Sequence, residues 1–247
     1  MKQGKIFLKD KKTYFDYAIL TFLTEEKEFL EAKPGSFFML QANTLLKKPI
    51  SVMHCHKKDG ILKFMVKKIG KGTEFLYNLN PGDMLDAVGP SGNGFPIEEN
   101  QKYIAIGGGS GIPPFYFLAK TVKKENLTIV YGGKTQKDIV PVFGKSQSVI
   151  ITTESGEIGI KGTVIDGIKK AFSKKGFENA VILSCGPKGM VKAIKQNFPD
   201  FEHYTSLENY MACGFGVCLG CVVETKDGYK RACVDGPVFN IKDLKEF

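Results

Sequence analysis

Long apolar runs are missing from this 247-residue chain. Nowhere do the roughly 18 consecutive apolar residues of a membrane-spanning helix occur, so no membrane is expected as a partner. The start, MKQGKIFLKDKK, lacks the apolar stretch of a secretory signal. The expected compartment is therefore cytoplasmic, where thiols stay reduced. Arginine is almost absent: Arg231 stands alone, and lysine supplies the rest of the positive charge behind a formal net charge of +9. A basic balance with no arginine-rich stripe and no aromatic-interleaved patch argues against nucleic acid. Scattered lysines instead describe a solvated surface with some attraction for anionic cofactors. Tandem repeats and low-complexity tracts are missing too. What remains is 43% hydrophobic, enough for packed cores in two small domains and a terminal module.

Residues 1–98 read as β-rich. Short apolar runs recur at Tyr17–Leu23, Ser36–Gln41, Ile50–His54, Leu62–Val66 and Met84–Val88, punctuated by Pro34-Gly35, Asp59-Gly60 and Pro81-Gly82. Several short strands at such spacing predict a barrel or sandwich, with one helix near Gly72–Leu79. Over 99–200 the pattern changes. Strands at Tyr103–Ile106, Leu127–Tyr131, Val149–Thr152 and Ala180–Ser184 are interspersed with helical stretches at Phe115–Val122, Thr163–Phe172 and Lys188–Asn197. That alternation predicts an α/β domain on a parallel sheet. Residues 201–247 form a third, cysteine-bearing module.

Two motifs in the second region point to a nucleotide. YIAIGGGSGIPPF at 103–115 is a strand, a glycine turn and a helix start. Gly108, Gly109, Ser110 and Gly111 let a ligand approach the backbone, and a helix N-terminus favours phosphate. The motif is not the strict dinucleotide fingerprint, and a plain strand-to-helix turn has the same look. LSCGPKGM at 183–190 puts Cys185, Gly186 and Pro187 at the C-terminal end of a strand, where open α/β sheets bind ligands. A thiol there suits a nicotinamide ring, and a buried small hydrophobe fits as well. Tyr131-Gly132-Gly133 ends another strand of that sheet.

In the barrel, Lys48-Pro49-Ile50-Ser51 offers a cation and a hydroxyl to a flavin, though it also reads as an ordinary strand start. Met65, Val66 and Lys67 followed by Gly72 and Thr73 set an apolar strand, a cation and a helix N-terminus in sequence, a place for a pyrophosphate. His54 and His56 share a strand face with no third ligand near and are assigned no function.

The tail carries Cys213, Cys218, Cys221 and Cys233 in the pattern C-x4-C-x2-C followed by a lone cysteine. This is close to the plant-type spacing for a [2Fe–2S] cluster, whose four thiolates hold two irons. Gly214, Gly216 and Gly220 let the loop wrap tightly and bring backbone N–H groups to an anionic centre. The stretch from Cys221 to Cys233 reads as a hairpin turning at 226–228. Structural zinc usually shows paired C-x2-C knuckles, and disulfides want an oxidising compartment. A zinc-stapled binding module is the alternative of a different class.

Taken together, KPIS, GGGSGIPP and CGP resemble the ferredoxin reductase-like flavoproteins. SLENYMACGFGVCLGCVV with RACVDGPVF further resembles the electron transfer subunits of type B dihydroorotate dehydrogenases. The resemblance implies an FAD-binding barrel, a parallel-sheet nucleotide-binding domain and a small C-terminal iron–sulfur module. It implies FAD on Lys48, Pro49, Ile50, Ser51, Met65, Val66, Lys67, Gly72 and Thr73. It implies NAD on Gly108, Gly109, Ser110, Gly111, Cys185, Gly186 and Pro187, and the cluster on the four cysteines, with no general acid or base. Electrons would come from the FMN of a catalytic partner that oxidises dihydroorotate, in a heterotetramer of two plus two subunits serving pyrimidine biosynthesis. Lys48 stands where the family usually has arginine, keeping the charge and losing the bidentate fork. Phe215, Val217 and Leu219 are candidates for partner contact. For NAD against NADP, Lys134 and Lys137 leave NADP open, while Glu154 suits a ribose hydroxyl. The small subunits of NADH-dependent ferredoxin:NADP oxidoreductase and of sulfide dehydrogenase share the layout. An aspartate commonly replaces the first cluster cysteine there, and here that residue is Cys213.

Overall fold

A computed structural model describes all 247 residues. The first half is a closed six-stranded antiparallel barrel in the order β1-β2-β5-β4-β3-β6. Its strands are β1 (Lys2–Tyr14), β2 (Tyr17–Leu23), β3 (Phe37–Leu40), β4 (Lys48–His56), β5 (Ile61–Lys67) and β6 (Met84–Ser91). The five apolar runs expected as strands are β2 to β6. β1 was not among them: lysines dominate it, and only Ile6 and Leu8 turn inward to the core. Its place comes from backbone pairing with β2 on one side and β6 on the other. Phe22, Phe29, Phe38 and Phe64 fill the barrel in edge-to-face contacts, with ring centroids 5.0–6.0 Å apart. Each fully buried phenylalanine contributes on the order of 1.5–3 kcal/mol. Helix α1 (Lys71–Asn78) joins β5 to β6. Thr73 Oγ1 accepts the N–H groups of Ile69 and Gly70 at its start, at 3.0 and 3.2 Å.

The second half is a seven-stranded sheet. β7 (Tyr103–Gly108), β8 (Leu127–Gly133), β9 (Val149–Thr153) and β10 (Ile160–Lys161) run parallel to one side, and β11 (Val181–Cys185) and β12 (His203–Ser206) parallel to the other. Helices α2 (Pro113–Leu118), α3 (Val164–Phe172) and α4 (Lys188–Asn197) are the crossovers. The order β10-β9-β8-β7-β11-β12 reverses between β7 and β11. That topological switch point opens a crevice at the C-terminal strand ends, where ligands of open α/β sheets bind. No helix is long and apolar enough to cross a membrane.

The cysteine-bearing segment leaves the sheet after β12, turns through a hairpin of β13 (Val222–Thr225) and β14 (Gly228–Arg231), and returns as β15 (Val238–Asn240), antiparallel on β12. The division drawn at 200/201 thus falls before β12, and the sheet continues through β12 and β15 on its far side. Phe37 and Met39 of the barrel pack with Cys221, Cys233, Phe239 and Ile241 in one apolar cluster. The cysteine loop is therefore seated against the barrel as well as the sheet edge.

Candidate flavin, nucleotide and iron–sulfur sites

Where the barrel meets the switch point, β4, β5 and α1 form one wall of a cleft and the sheet forms the other. Pro49, Ile50, Ser51, Met65, Val66, Lys67 and Thr73 come from the barrel; Ser110 and Cys185 face them from the sheet. Nine of the residues singled out in the sequence meet here. Lys48 does not line the cleft. Its stem lies across Gly72 at the N-terminus of α1, so close that a Cβ at Gly72 would collide with it. A cation and a helix N-terminus therefore sit together, the combination that suits a pyrophosphate.

A second cleft runs along the ends of β7, β8 and β9. Gly108, Gly109, Ser110 and Pro187 line it, joined by Gly132, Gly133, Lys134 and Glu154. Lys67 and Ser110 belong to both clefts, so the two spaces are contiguous. Gly111 and Gly186 line neither. Gly111 lies against the Cys185 carbonyl with no room for a methyl group, and Gly186, at φ +153, bends the chain away from β11. Their role is to bring the glycine turn and the CGP turn together. Burial, then the neighbouring Glu208 carboxylate, push the Cys185 thiol up to about 12 against an opposing Ser206 hydroxyl. It stays a neutral, polarisable wall and not a thiolate nucleophile.

Ser206 and Glu208 also line the flavin cleft. Both lie in the SLENYMACG stretch that carries the resemblance, but neither residue shows a site role of its own there. Ser206 ends β12 and Glu208 lies two residues on, at the C-terminal edge of the parallel set. Burial raises the Glu208 carboxyl above its ordinary value.

The segment through Glu208, Asn209 and Met211 continues from that cleft straight into Cys213. Gly214 at φ +78, Gly216 at φ +85 and Leu219 at φ +58 turn the loop on itself. Gly214 rests on Met39 of β3. Backbone N–H groups point at sulfur: Phe215 N donates to Cys213 Sγ and Gly220 N to Cys218 Sγ, both at 3.5 Å. All four thiols are free. They interact in pairs, Cys213 with Cys218 and Cys221 with Cys233. Burial opposes ionisation of Cys213, yet N–H groups of Cys218, Phe215 and Val217 and the Cys218 side chain bring it down to about 6. Burial and the adjacent Cys221 push Cys233 up to about 12. A binuclear cluster shares four thiolates between two irons, and two thiol pairs with N–H groups aimed at sulfur fit it.

Comparison with known proteins agrees with this layout. Residues 7–95 match the oxidoreductase FAD-binding domain, and residues 208–245 match the iron–sulfur cluster binding domain of dihydroorotate dehydrogenase B. The chain is 37% identical over 225 residues to the dihydroorotate dehydrogenase B (NAD(+)) electron transfer subunit of Caldanaerobacter subterraneus subsp. tengcongensis, covering 88% of this chain and 89% of the relative. It is 38% identical over 232 residues to the subunit of that name from Listeria monocytogenes, covering 87% and 88%. Among solved structures, one of an NADH-dependent reduced ferredoxin–NADP oxidoreductase superposes with a TM-score of 0.86 at 29% identity, over 97% of this chain and 89% of that one. A ferredoxin reductase of carbazole 1,9a-dioxygenase shares the fold, with a TM-score of 0.69 at 20% identity over 80% of this chain and 65% of that one. With relatives this similar matching most of its length, the chain belongs to the family of dihydroorotate dehydrogenase B electron transfer subunits.

Proposed function

We propose that this chain wires a catalytic dihydroorotate dehydrogenase subunit carrying FMN to NAD+, through a [2Fe–2S] cluster and FAD, in the cytoplasm and in a heterotetramer of two plus two subunits. One observation carries the reading: the three candidate sites are contiguous. The nucleotide cleft shares Lys67 and Ser110 with the flavin cleft, and the flavin cleft's wall runs through Met211 into the first cysteine of the cluster loop. A relay needs that order.

Bound there, FAD supplies exchange between hydride and single-electron transfer, and the cluster carries one electron at a time. The chain's own residues bind and orient. Lys48 and the N-terminus of α1 hold pyrophosphate; Pro49, Ile50, Ser51, Met65 and Val66 frame the flavin ring. The glycine turn at 108–111 lets a dinucleotide backbone come close, and Cys185-Gly186-Pro187 walls the nicotinamide. A neutral thiol at Cys185 places no fixed charge beside the reacting rings. The three functional units are 1–98, 99–200 and 201–247, with the last anchored through β12 and β15.

The layout also suits the small subunit of an NADH-dependent ferredoxin–NADP oxidoreductase, which a TM-score of 0.86 favours. Cys213, a thiol and not a carboxylate at the first cluster position, favours the dihydroorotate system. The test is anaerobic co-purification with the catalytic subunit. Dihydroorotate should bleach the flavin and reduce NAD+, with about two irons per FAD. A fully loaded complex that dihydroorotate leaves unbleached rules the assignment out.

A further inference from the structure

The boundary between the flavin and nucleotide clefts is crossed by one carboxylate. Asp138 follows β8 in the nucleotide-side wall. Its Oδ2 accepts the backbone N–H groups of Lys134 and Thr135 at 3.1 and 3.3 Å, which fixes that wall. Its Oδ1 pairs with Lys67 Nζ, from the end of β5 in the barrel, at 2.9 Å. Both side chains are half-buried, 31% and 20% exposed. Lys67 Nζ also lies 5.1 Å from the Tyr17 ring centroid. Tyr17 is buried, and its hydroxyl points toward Gly109 of the glycine turn beside the Lys67–Asp138 pair. Behind Asp138, the buried Tyr131 hydroxyl donates to the Asp138 carbonyl and accepts from Val140 N, both at 3.1 Å, tying the wall to the sheet.

We infer that Asp138 is a positioning residue, which joins the Lys134–Thr135 backbone to Lys67 and so sets how the nicotinamide meets the flavin. This rests on the function proposed above. Hydride transfer requires reacting atoms about 3–3.5 Å apart, and a displacement of about 1 Å can cost about a hundredfold in rate. The barrel and the sheet each hold one reactant, so a contact that spans them controls that distance. Lys67 is held by Asp138 where it lines both clefts.

Asp138→Asn isolates the tie, because the amide oxygen can still accept both backbone N–H groups while the charge that holds Lys67 is gone. In FAD-loaded protein, stopped-flow reduction of the flavin by NADH separates nucleotide affinity from the limiting rate. The expected result is a limiting rate lower by about tenfold or more, an NADH dissociation constant changed less than about threefold, and unchanged FAD content. Lys67→Met should show the same loss, and the double variant should be no slower than the slower single one. A limiting rate within about twofold of wild type in Asp138→Asn, additive losses in the double variant, or loss of FAD from Asp138→Asn each overturns the inference. Wild-type protein that NADH leaves oxidised would overturn the functional reading instead.

Discussion

A single methyl group at residue 111 is enough to test how the two turns of the switch point fit. The Cβ of Gly111→Ala would strike the Cys185 carbonyl, and backbone cannot swing aside as a side chain does. Overpacking of this kind costs about 1–3 kcal/mol. The variant should melt earlier and lose NADH-dependent flavin reduction while keeping FAD; unchanged melting and reduction would mean the turns have slack. His203 gives a pH test. It is buried in β12 with Ser184 Oγ 2.7 Å from its Nε2, and burial, with Lys195 adding repulsion, lowers it from 6.5 to about 3. Burial, then the charges of Lys63, His56 and Lys120, lower His54 to about 4. The unfolded chain binds these protons more readily than the folded one. Stability is therefore full above pH 6.5 and lost as pH falls toward those values, each unit of depression being worth about 1.4 kcal/mol. His203→Gln should flatten the fall in melting temperature between pH 6.5 and 4, and an unaltered slope would clear His203 of the effect. At this scale the sequence was legible where chemistry and local spacing coincide. KPIS, the glycine turn and CGP each carry their own signal, and most of their residues line two clefts, with Lys48, Gly111 and Gly186 outside the lining. Ser206 and Glu208 sit in the SLENYMACG motif but show no role in a cleft from sequence, because only the return of β12 beside β11 brings them to Cys185. Asp138 was hidden in the same way, since its partner Lys67 lies 71 residues away.

Elements differed in legibility according to whether side chains or backbone hold them. β2 to β6 show apolar runs because they bury much of their length; β1 is held by two ladders of backbone hydrogen bonds, and no side-chain pattern reports a ladder. β15 buries Val238 and Phe239 but is only three residues long, too short to show a period, so it was invisible, and with it the way the cysteine segment docks. The cysteine loop was the most legible element, since spacing alone sets which sulfurs can share two irons. Its two pairs sit in different surroundings. Cys218 is exposed, whereas Cys221 and Cys233 are buried in the apolar cluster with Phe37 and Met39. Cys218→Ser should therefore release iron with little change in melting temperature and with FAD retained, as iron assay and the visible spectrum will show. If FAD leaves with the iron, the loop is part of the flavin site and not a separate element seated on it.

At the scale of the whole molecule, contiguity of the three sites makes an electron count possible. NADH delivers two electrons; FAD takes up two and a [2Fe–2S] cluster one. A chain in which the nucleotide cleft, the flavin cleft and the cysteine loop communicate should need about 1.5 equivalents of NADH for full anaerobic reduction. The flavin bands and the cluster bands should bleach in one continuous titration. Cys218→Ser, which keeps the first two sites, should need about 1.0 equivalent. The physical reason is the path. Lys67 and Ser110 line the nucleotide and flavin clefts together, and Met211 ends the flavin wall two residues before Cys213. A wild-type end point of about 1.0 with the cluster still oxidised would mean that electrons stop at the flavin. The segment from Glu208 to Cys213 would then be an insulator, and the partner subunit could not be served through it.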